Sequence, residues 1–404
     1  MTICLIHLHG AAGPEPRSFL QRCPLRLQQL ASAGAVFELD VPPPHEEAPV
    51  AATLATGMLA DAHGILTNQE PRDDLLGVRP ASSTTRRRAA LWEIAAAHGR
   101  SAAAVGWPST HPAQRPIRAS GLVVVTPEFA VHRSRHPDIW PLPSDCIQPE
   151  ALREELASLR ICAPDITAEQ LAGLAPALAE IDQDRDDSLI RLAAALATCA
   201  TIHGAATRLA ENPPDLLCVH ISFAADVARP CAKMRDRSLR TDGSSPLDEV
   251  PGNALTFLDL LVGRYMNLCG PESTYIICLD GPSPSAHAQV VMHGPSIKPG
   301  QGKASWLDIV PTILAMLGLP LASDSDGKPI EAALRNAAPS PSVWTHAESL
   351  HQEALPAPAI IAGIRDDLSA QGYTAPPRIA GKDVGQLIEA QKQALRSVLA
   401  QRGG

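Results

Sequence analysis

The sequence predicts an α/β protein: a mostly parallel sheet between helical layers, with a helical insertion. Three observations carry that prediction. Short apolar runs recur at Ile3 to Leu8, Ala102 to Val105, Leu216 to Ile221 and Tyr275 to Leu279, with a further candidate at Gln289 to Met292. Runs without polar alternation are what strands buried on both faces produce. Helical patterns lie between them, and strands alternating with helices define a doubly wound α/β unit. From Pro149 to about Asn212 helical periodicity continues with no strand signal, which marks the insertion.

The helical elements follow in order. Phe19 to Ala33 reads as a helix and Ala51 to Leu59 as a short second one. Arg88 to His98 is a third, with Gly99 placed to end it in the left-handed conformation. In the insertion, the run from Glu180 to Asp187 reads as a solvated face. Asp308 to Leu317 is a helix stopped by Gly318 and Pro320. After Ile330 the composition loosens, so the α/β domain is placed at residues 1–345, with its insertion at 149–212. Residues 346–404 form a C-terminal extension. Its amphipathic stretch, Val384 to Gln401, reads as a terminal helix that packs on the body.

Composition narrows the function classes. Hydrophobic residues are 45% and charged residues 19% of 404, as in a globular chain. Aromatic residues are only 3%, so the core rests on Ala, Leu, Val and Ile, and few rings exist to stack on single-stranded nucleic acid. The net charge of −9 opposes binding to duplexes, which needs a basic face. Nucleic acid is therefore excluded as an expected partner. The nine cysteines are odd in number, form no CxxC pair and sit partly in apolar runs, as free thiols in a reducing compartment do. The N-terminus lacks a basic leader, and no apolar stretch of about 18 residues is free of charge and proline. A cytoplasmic chain without a membrane partner is expected.

Several segments fall in a recognisable order. Leu5 to Gly10 is followed by Pro49 to Gly57, which contains Ala55-Thr56-Gly57, and by His63-Gly64-Ile65. Ala90 to Ile94, Val105 to Ala113, Pro214 to Val219 and Ile276 to Gly281 come next. Gly294 to Gly300, Trp306 to Leu314 and Asp326-Gly327 close the series. This order resembles the alkaline phosphatase superfamily, in its type I phosphodiesterase/nucleotide pyrophosphatase branch, over most of residues 1–330. The resemblance implies an alkaline-phosphatase-like core. It also implies hydrolysis of phosphate esters by two metal ions and a Ser or Thr nucleophile.

The residues at the implied catalytic positions depart from that chemistry. The first metal-binding Asp corresponds to His9. The nucleophile corresponds to Glu47, with no Ser or Thr between Leu39 and Ala52. An Asp and His ligand pair falls on Ala225 and Arg229, with Asp226 one step away. The Asp-His-Gly turn reads Asp280-Gly281-Pro282, and the last ligand, a His, has His287 nearby but out of register. Asp280 alone keeps its family residue type in register. The resemblance therefore implies a degenerate member, a pseudoenzyme that acts by binding a small anionic ligand or a protein partner. Arg229 is the anion-binding candidate, because a fixed cation repels a metal ion and can replace it toward an anion. No cofactor is expected. The alternative is a rearranged metal-dependent hydrolase of phosphate or related esters, with one zinc or manganese ion on His9, Glu47, Asp280 and His287.

Other residues read as structure. His7 shares the side of His9 by strand periodicity and is expected to pack under the sheet edge. His63 belongs to a turn, and Trp107 to the core. Arg86-Arg87-Arg88 reads as a solvated helix start, Ser82 to Thr85 as a loop and cap region. His111 is open between a structural and a functional role.

Overall fold

A computed structural model describes residues 1–13, 25–71, 77–113, 121–130, 142–184, 186–235, 244–281 and 287–336. The extension 346–404, with its expected terminal helix, lies outside the described residues, as do positions 19–24 of the first expected helix. In chain order the elements begin with β1 (Ile3–Leu8), α1 (Leu25–Ala33), β2 (Ala35–Asp40), α2 (Glu47–Thr56) and α3 (Ala60–His63). Then come β3 (Gln69–Pro71), β4 (Val78–Pro80), α4 (Leu91–Ala97), β5 (Ala102–Val105), β6 (Leu122–Val125) and β7 (Ile147–Gln148). The insertion supplies α5 (Arg153–Ala157), α6 (Ala168–Leu174) and α7 (Ser188–Ala210). The rest is β8 (Leu216–Ile221), α8 (Phe223–Arg235), α9 (Val250–Cys269), β9 (Thr274–Leu279), β10 (Ala288–His293), β11 (Gly300–Ser305) and α10 (Ile309–Met316). The chain divides into two compact units.

The first unit comprises Met1–Leu39, Ala103–Trp107 and Val123–Lys303. It carries the mixed, mostly parallel nine-stranded sheet, in the order β11-β2-β10-β9-β1-β8-β5-β6-β7. Central β1 runs parallel to both neighbours, and Ile6 pairs with Val219 of β8 and Ile277 of β9. All six residues of β1, β8 and β9 are buried, which is why these runs are mostly apolar, with His7, His220 and Thr274 as their polar members. β10 is antiparallel to β9 and β2, so the sheet is mixed. Cys4, Ile6 and Leu8 enter one core with Leu27, Leu30, Leu192, Ile202, Val227, Leu258 and Tyr265 from the helices. Burial of each such large side chain contributes about 1.5–3 kcal/mol, more than helix propensity can. α7 is long and apolar enough to span a bilayer by length and composition, yet 61% of its apolar window is buried within the protein.

The second unit comprises Asp40–Ala102, Pro108–Leu122 and Ala304–Gly404. Here the family-like signatures act as scaffold. Gly57 ends α2 at φ 66°, and a Cβ there would lie 2.9 Å from the Val310 side chain. Trp306 Nε1 donates to the Val50 carbonyl at 3.0 Å. Asp308 accepts from the Ser305 and Lys328 amides at 2.8 and 2.9 Å, and Asp326 accepts from the Leu59 amide at 2.9 Å. His63 is fully buried: the Ile65 amide donates to its Nδ1 at 3.1 Å, so Nε2 carries the proton toward Thr53 Oγ1 at 3.0 Å. Arg86 departs from the expected solvated helix start. It is buried and forks onto Glu93 at 2.6 and 2.8 Å, because Glu93 also caps α4 through the Ala90 amide and needs a cation.

Candidate functional site

The first unit gathers three imidazoles and one carboxylate at the carboxyl ends of adjacent parallel strands. The register pairs Leu8 of β1 with Leu279 of β9, so His9 and Asp280 leave the sheet side by side. It also pairs His7 with His220 of β8. All four residues are buried. His7 Nε2 lies 3.1 Å from Asp280 Oδ1, and His9 Nδ1 lies 2.8 Å from Asp280 Oδ2. The Gly10 amide donates to Oδ1 at 3.3 Å. Gly10 is required there: its φ is 78°, and a Cβ would sit 2.6 Å from the Ala225 backbone nitrogen.

The hydrogen bonds continue past Asp280. His7 Nδ1 meets His220 Nδ1 at 2.9 Å, so the order is His220, His7, Asp280, His9. With both its side-chain bonds from imidazoles and a third from the Gly10 amide, Asp280 accepts as a carboxylate, which places protons on His7 Nε2 and His9 Nδ1. One further proton lies between the two Nδ1 atoms, carried by His7 as an imidazolium or by His220. The Trp107 ring closes one side, with its centroid 5.9 Å from that of His7 and 5.8 Å from that of His220. Burial alone would raise the Asp280 carboxyl. The charge and hydrogen bond of His7, then those of His9, outweigh it and hold the carboxyl well below the ordinary carboxylate range.

The expected site residues fare differently. His9 and Asp280 come together. His287 is exposed, just before β10, with its amide bonded to the Gly13 carbonyl at 3.2 Å. Glu47 opens α2 of the second unit. Ala225 is buried in α8. Arg229, on the same helix, has a side chain 66% exposed and pairs with Asp226 at 3.6 Å, while Asp226 also accepts from Ser222 Oγ at 2.7 Å. His7 is buried, as the strand pattern predicts, but it bonds within a polar network in the central strand rather than packing under the sheet edge. His220 escaped sequence reasoning. The available signal was phase: His7 and His220 are each the penultimate residue of an apolar six-residue strand.

The donor set does not fit two metal ions. Ala225, Arg229 and Gly281 offer no ligand atom suited to a second cation, and Glu47 offers no hydroxyl nucleophile. One ion is different. His7, His9 and Asp280 each present a ligand atom, all within 4.8 Å of one another. A tetrahedral ion with bonds of about 2.0–2.1 Å needs ligand separations of roughly 3.3 Å, and these atoms stand within about 1.5 Å of that spacing. Bound there, zinc would supply a Lewis-acidic centre with an open position.

A mixed α/β sheet with ligand-type residues at the carboxyl ends of its central strands defines a class of α/β proteins that place their sites at this edge. Residues 21–222, half of the chain, match the family described as type I phosphodiesterase / nucleotide pyrophosphatase. The chain belongs to that family, in the alkaline phosphatase superfamily. A search of the curated proteins finds no match. Among solved structures, murine ectonucleotide pyrophosphatase/phosphodiesterase 5 is similar at 11% identity and a TM-score of 0.43, over 79% of this chain and 95% of that one. A phosphonate monoester hydrolase from Silicibacter pomeroyi is similar at 14% and 0.46, over 84% and 77%. A sulfatase-type protein from Bacteroides thetaiotaomicron is similar at 13% and 0.47, over 81% and 73%.

Proposed function

We propose that this chain is a pseudoenzyme of its family, without two-metal phosphoryl hydrolysis, and acts by binding. The observation that carries the reading is the state of Asp280: both its oxygens are engaged by His7 and His9, and the Gly10 amide adds a third bond. A carboxylate satisfied by imidazoles needs no metal ion to be stable in the interior. The occupants of the other catalytic positions, Glu47, Ala225, Arg229 and Gly281, support the same reading. A small anionic ligand is the class that suits it. A family site built of carboxylates repels anions once its metals are removed, whereas here imidazoles surround the single carboxylate and Arg229 stands exposed on α8. The test is turnover of bis(p-nitrophenyl) phosphate by purified protein with added zinc or manganese. No rate above the buffer blank is expected, and metal-dependent turnover abolished by a chelator overturns the proposal.

A second reading is favoured by one observation, the convergence of His7, His9 and Asp280. It holds that one zinc or manganese ion occupies those three ligands in a rearranged ester hydrolase. Elemental analysis separates the two readings. One equivalent of metal that is lost in both His9→Gln and Asp280→Asn supports the second, and metal-free protein supports the first.

A further inference from the structure

We infer that Cys4 and Cys269 are a modification site, closing reversibly to a disulfide when the protein meets a peroxide. This goes beyond the binding role and does not depend on it. Cys4 lies in β1 and is fully buried, whereas Cys269, the last residue of α9, is part-exposed. The Cys4 thiol donates to Cys269 Sγ across 3.5 Å. A disulfide needs about 2.05 Å, so the sulfurs close by roughly 1.5 Å, within reach of side-chain rotation.

The surrounding backbone fixes this approach. Ser273 Oγ donates to the Cys269 carbonyl at 2.7 Å, and the Tyr275 hydroxyl donates to the Gly270 carbonyl at 2.7 Å. Tyr275 is the register partner of Cys4 in β9, so one residue ties the end of α9 to the strand that carries the second thiol. Cys218 and Cys278 do not compete. They pair with Leu5 and His7, one residue out of phase with Cys4, and so face the other side of the sheet. The bond would join β1, which carries His7 and His9, to the turn that leads into β9 and Asp280.

The roles of the two sulfurs differ. The hydrogen bond from Cys4 lowers the Cys269 thiol, against the opposing effect of burial, while that bond and burial hold Cys4 well above its usual value. Cys269 is also the part-exposed sulfur of the two and accepts the bond from Cys4, so it is the thiolate that meets the peroxide. Its sulfur takes one peroxide oxygen, the O–O bond breaks, and the departing hydroxide takes up the proton that Cys269 released, giving water and a sulfenic acid. Cys4 sulfur then attacks Cys269 sulfur. The S–O bond breaks, hydroxide leaves with the Cys4 proton as a second water, and the S–S bond forms. Two thiols lose two electrons and the peroxide gains them.

The test is peptide mapping of the whole chain after hydrogen peroxide treatment and alkylation, without reductant. Cleavage at Arg264 and Glu272 separates Cys269 from Cys278. The expected product is a Cys4 peptide joined to the Cys269 peptide, with two fewer alkylatable thiols, reversed by dithiothreitol. Cys269→Ser should leave Cys4 alkylatable, and Cys231→Ser, which alters the other part-exposed cysteine among the described residues, should leave the product unchanged. Wild-type mapping alone is decisive if a variant fails to fold. Cys269 found as sulfinic acid with Cys4 still alkylated, Cys269 joined to a different cysteine, or Cys4 and Cys269 both alkylated while other thiols are oxidised would overturn the inference.

Discussion

Replacing Asp280 with Asn removes one charge and almost no volume, so it isolates the electrostatic contribution of the cluster. Asp280 accepts from His7 Nε2 at 3.1 Å, His9 Nδ1 at 2.8 Å and the Gly10 amide at 3.3 Å. An amide offers one oxygen, and its NH2 must face one of the two imidazoles. If that imidazole is His7, its proton must move to Nδ1, the atom that already meets His220 at 2.9 Å. Charge-assisted bonds contribute about 1.5–3 kcal/mol each, and breaking a buried charged pair from one side costs about 3–5 kcal/mol. A loss of about 3–5 kcal/mol is therefore expected near neutral pH. Because the chain has two compact units, native-state hydrogen exchange at the β1 and β9 amides is the suitable readout. A depressed carboxyl contributes stability above its unfolded pKa and loses it as pH falls, so the difference between wild type and variant should shrink below about pH 4. A change under about 1 kcal/mol in those amides would refute the view that Asp280 anchors a charged network.

Two further predictions concern the scaffold. Burial first, then the charges of Arg86 and Arg88, lower His63 to about 3. The unfolded chain binds this proton as pH falls through about 6.5 while the folded chain does not, so stability should decline by about 2 kcal/mol between pH 6.5 and 4.5 from this residue. Proton-detected titration should show the His63 ring neutral above pH 4, and a mid-range transition near 6 would contradict its burial. Gly10→Ala should destabilise the first unit by about 3 kcal/mol or more, combining a left-handed backbone cost of about 1–2 with an overpacking cost of about 1–3. Chemical denaturation measures it, and a change below about 0.5 kcal/mol would show that the Ala225 backbone yields freely.

Strands buried on both faces were legible because burial favours apolar residues at nearly every position: β1, β5 and β8 fall on the expected residues. β2 was not found, because Ala35, Phe37 and Leu39 are buried while Val36 and Glu38 are only partly so, which breaks the continuous run that signals a parallel strand. The short β7, two residues long, carries too little pattern to read. At the site, His9 and Asp280 were legible from motif position. The pairing of His7 and His220 was not, since their shared penultimate position in two apolar strands becomes a contact only once the strand order and register are known. Arg86 misled because a run of three arginines resembles a solvated segment, and only the fold supplies Glu93 as a buried counter-ion.

The retention of Asp280 is weak support for a retained metal, and the reason is electrostatic. The family resemblance places a carboxylate at position 9. Two carboxylates meeting at the separation of His9 and Asp280, 2.8 Å, cannot both ionise in a buried site unless a cation lies between them. An imidazole at position 9 removes that conflict and also donates the bond the carboxylate needs. Two other departures act in the same sense and one, Glu47, acts against them. Ala225 removes another acidic ligand and Arg229 adds a fixed cation on α8, but Glu47 puts a carboxylate where a hydroxyl is implied, so with His9 the implied positions shift by a net of about two charge units toward positive. Two dications would contribute four, so the substitutions offset about half of that charge. In a protein without metal ions this shift would offset part of the lost cationic charge, and the imidazole donors would compensate Asp280 where a second carboxylate would not. The bonds from His7 and His9 are therefore the feature that makes a buried Asp280 tolerable without a metal ion.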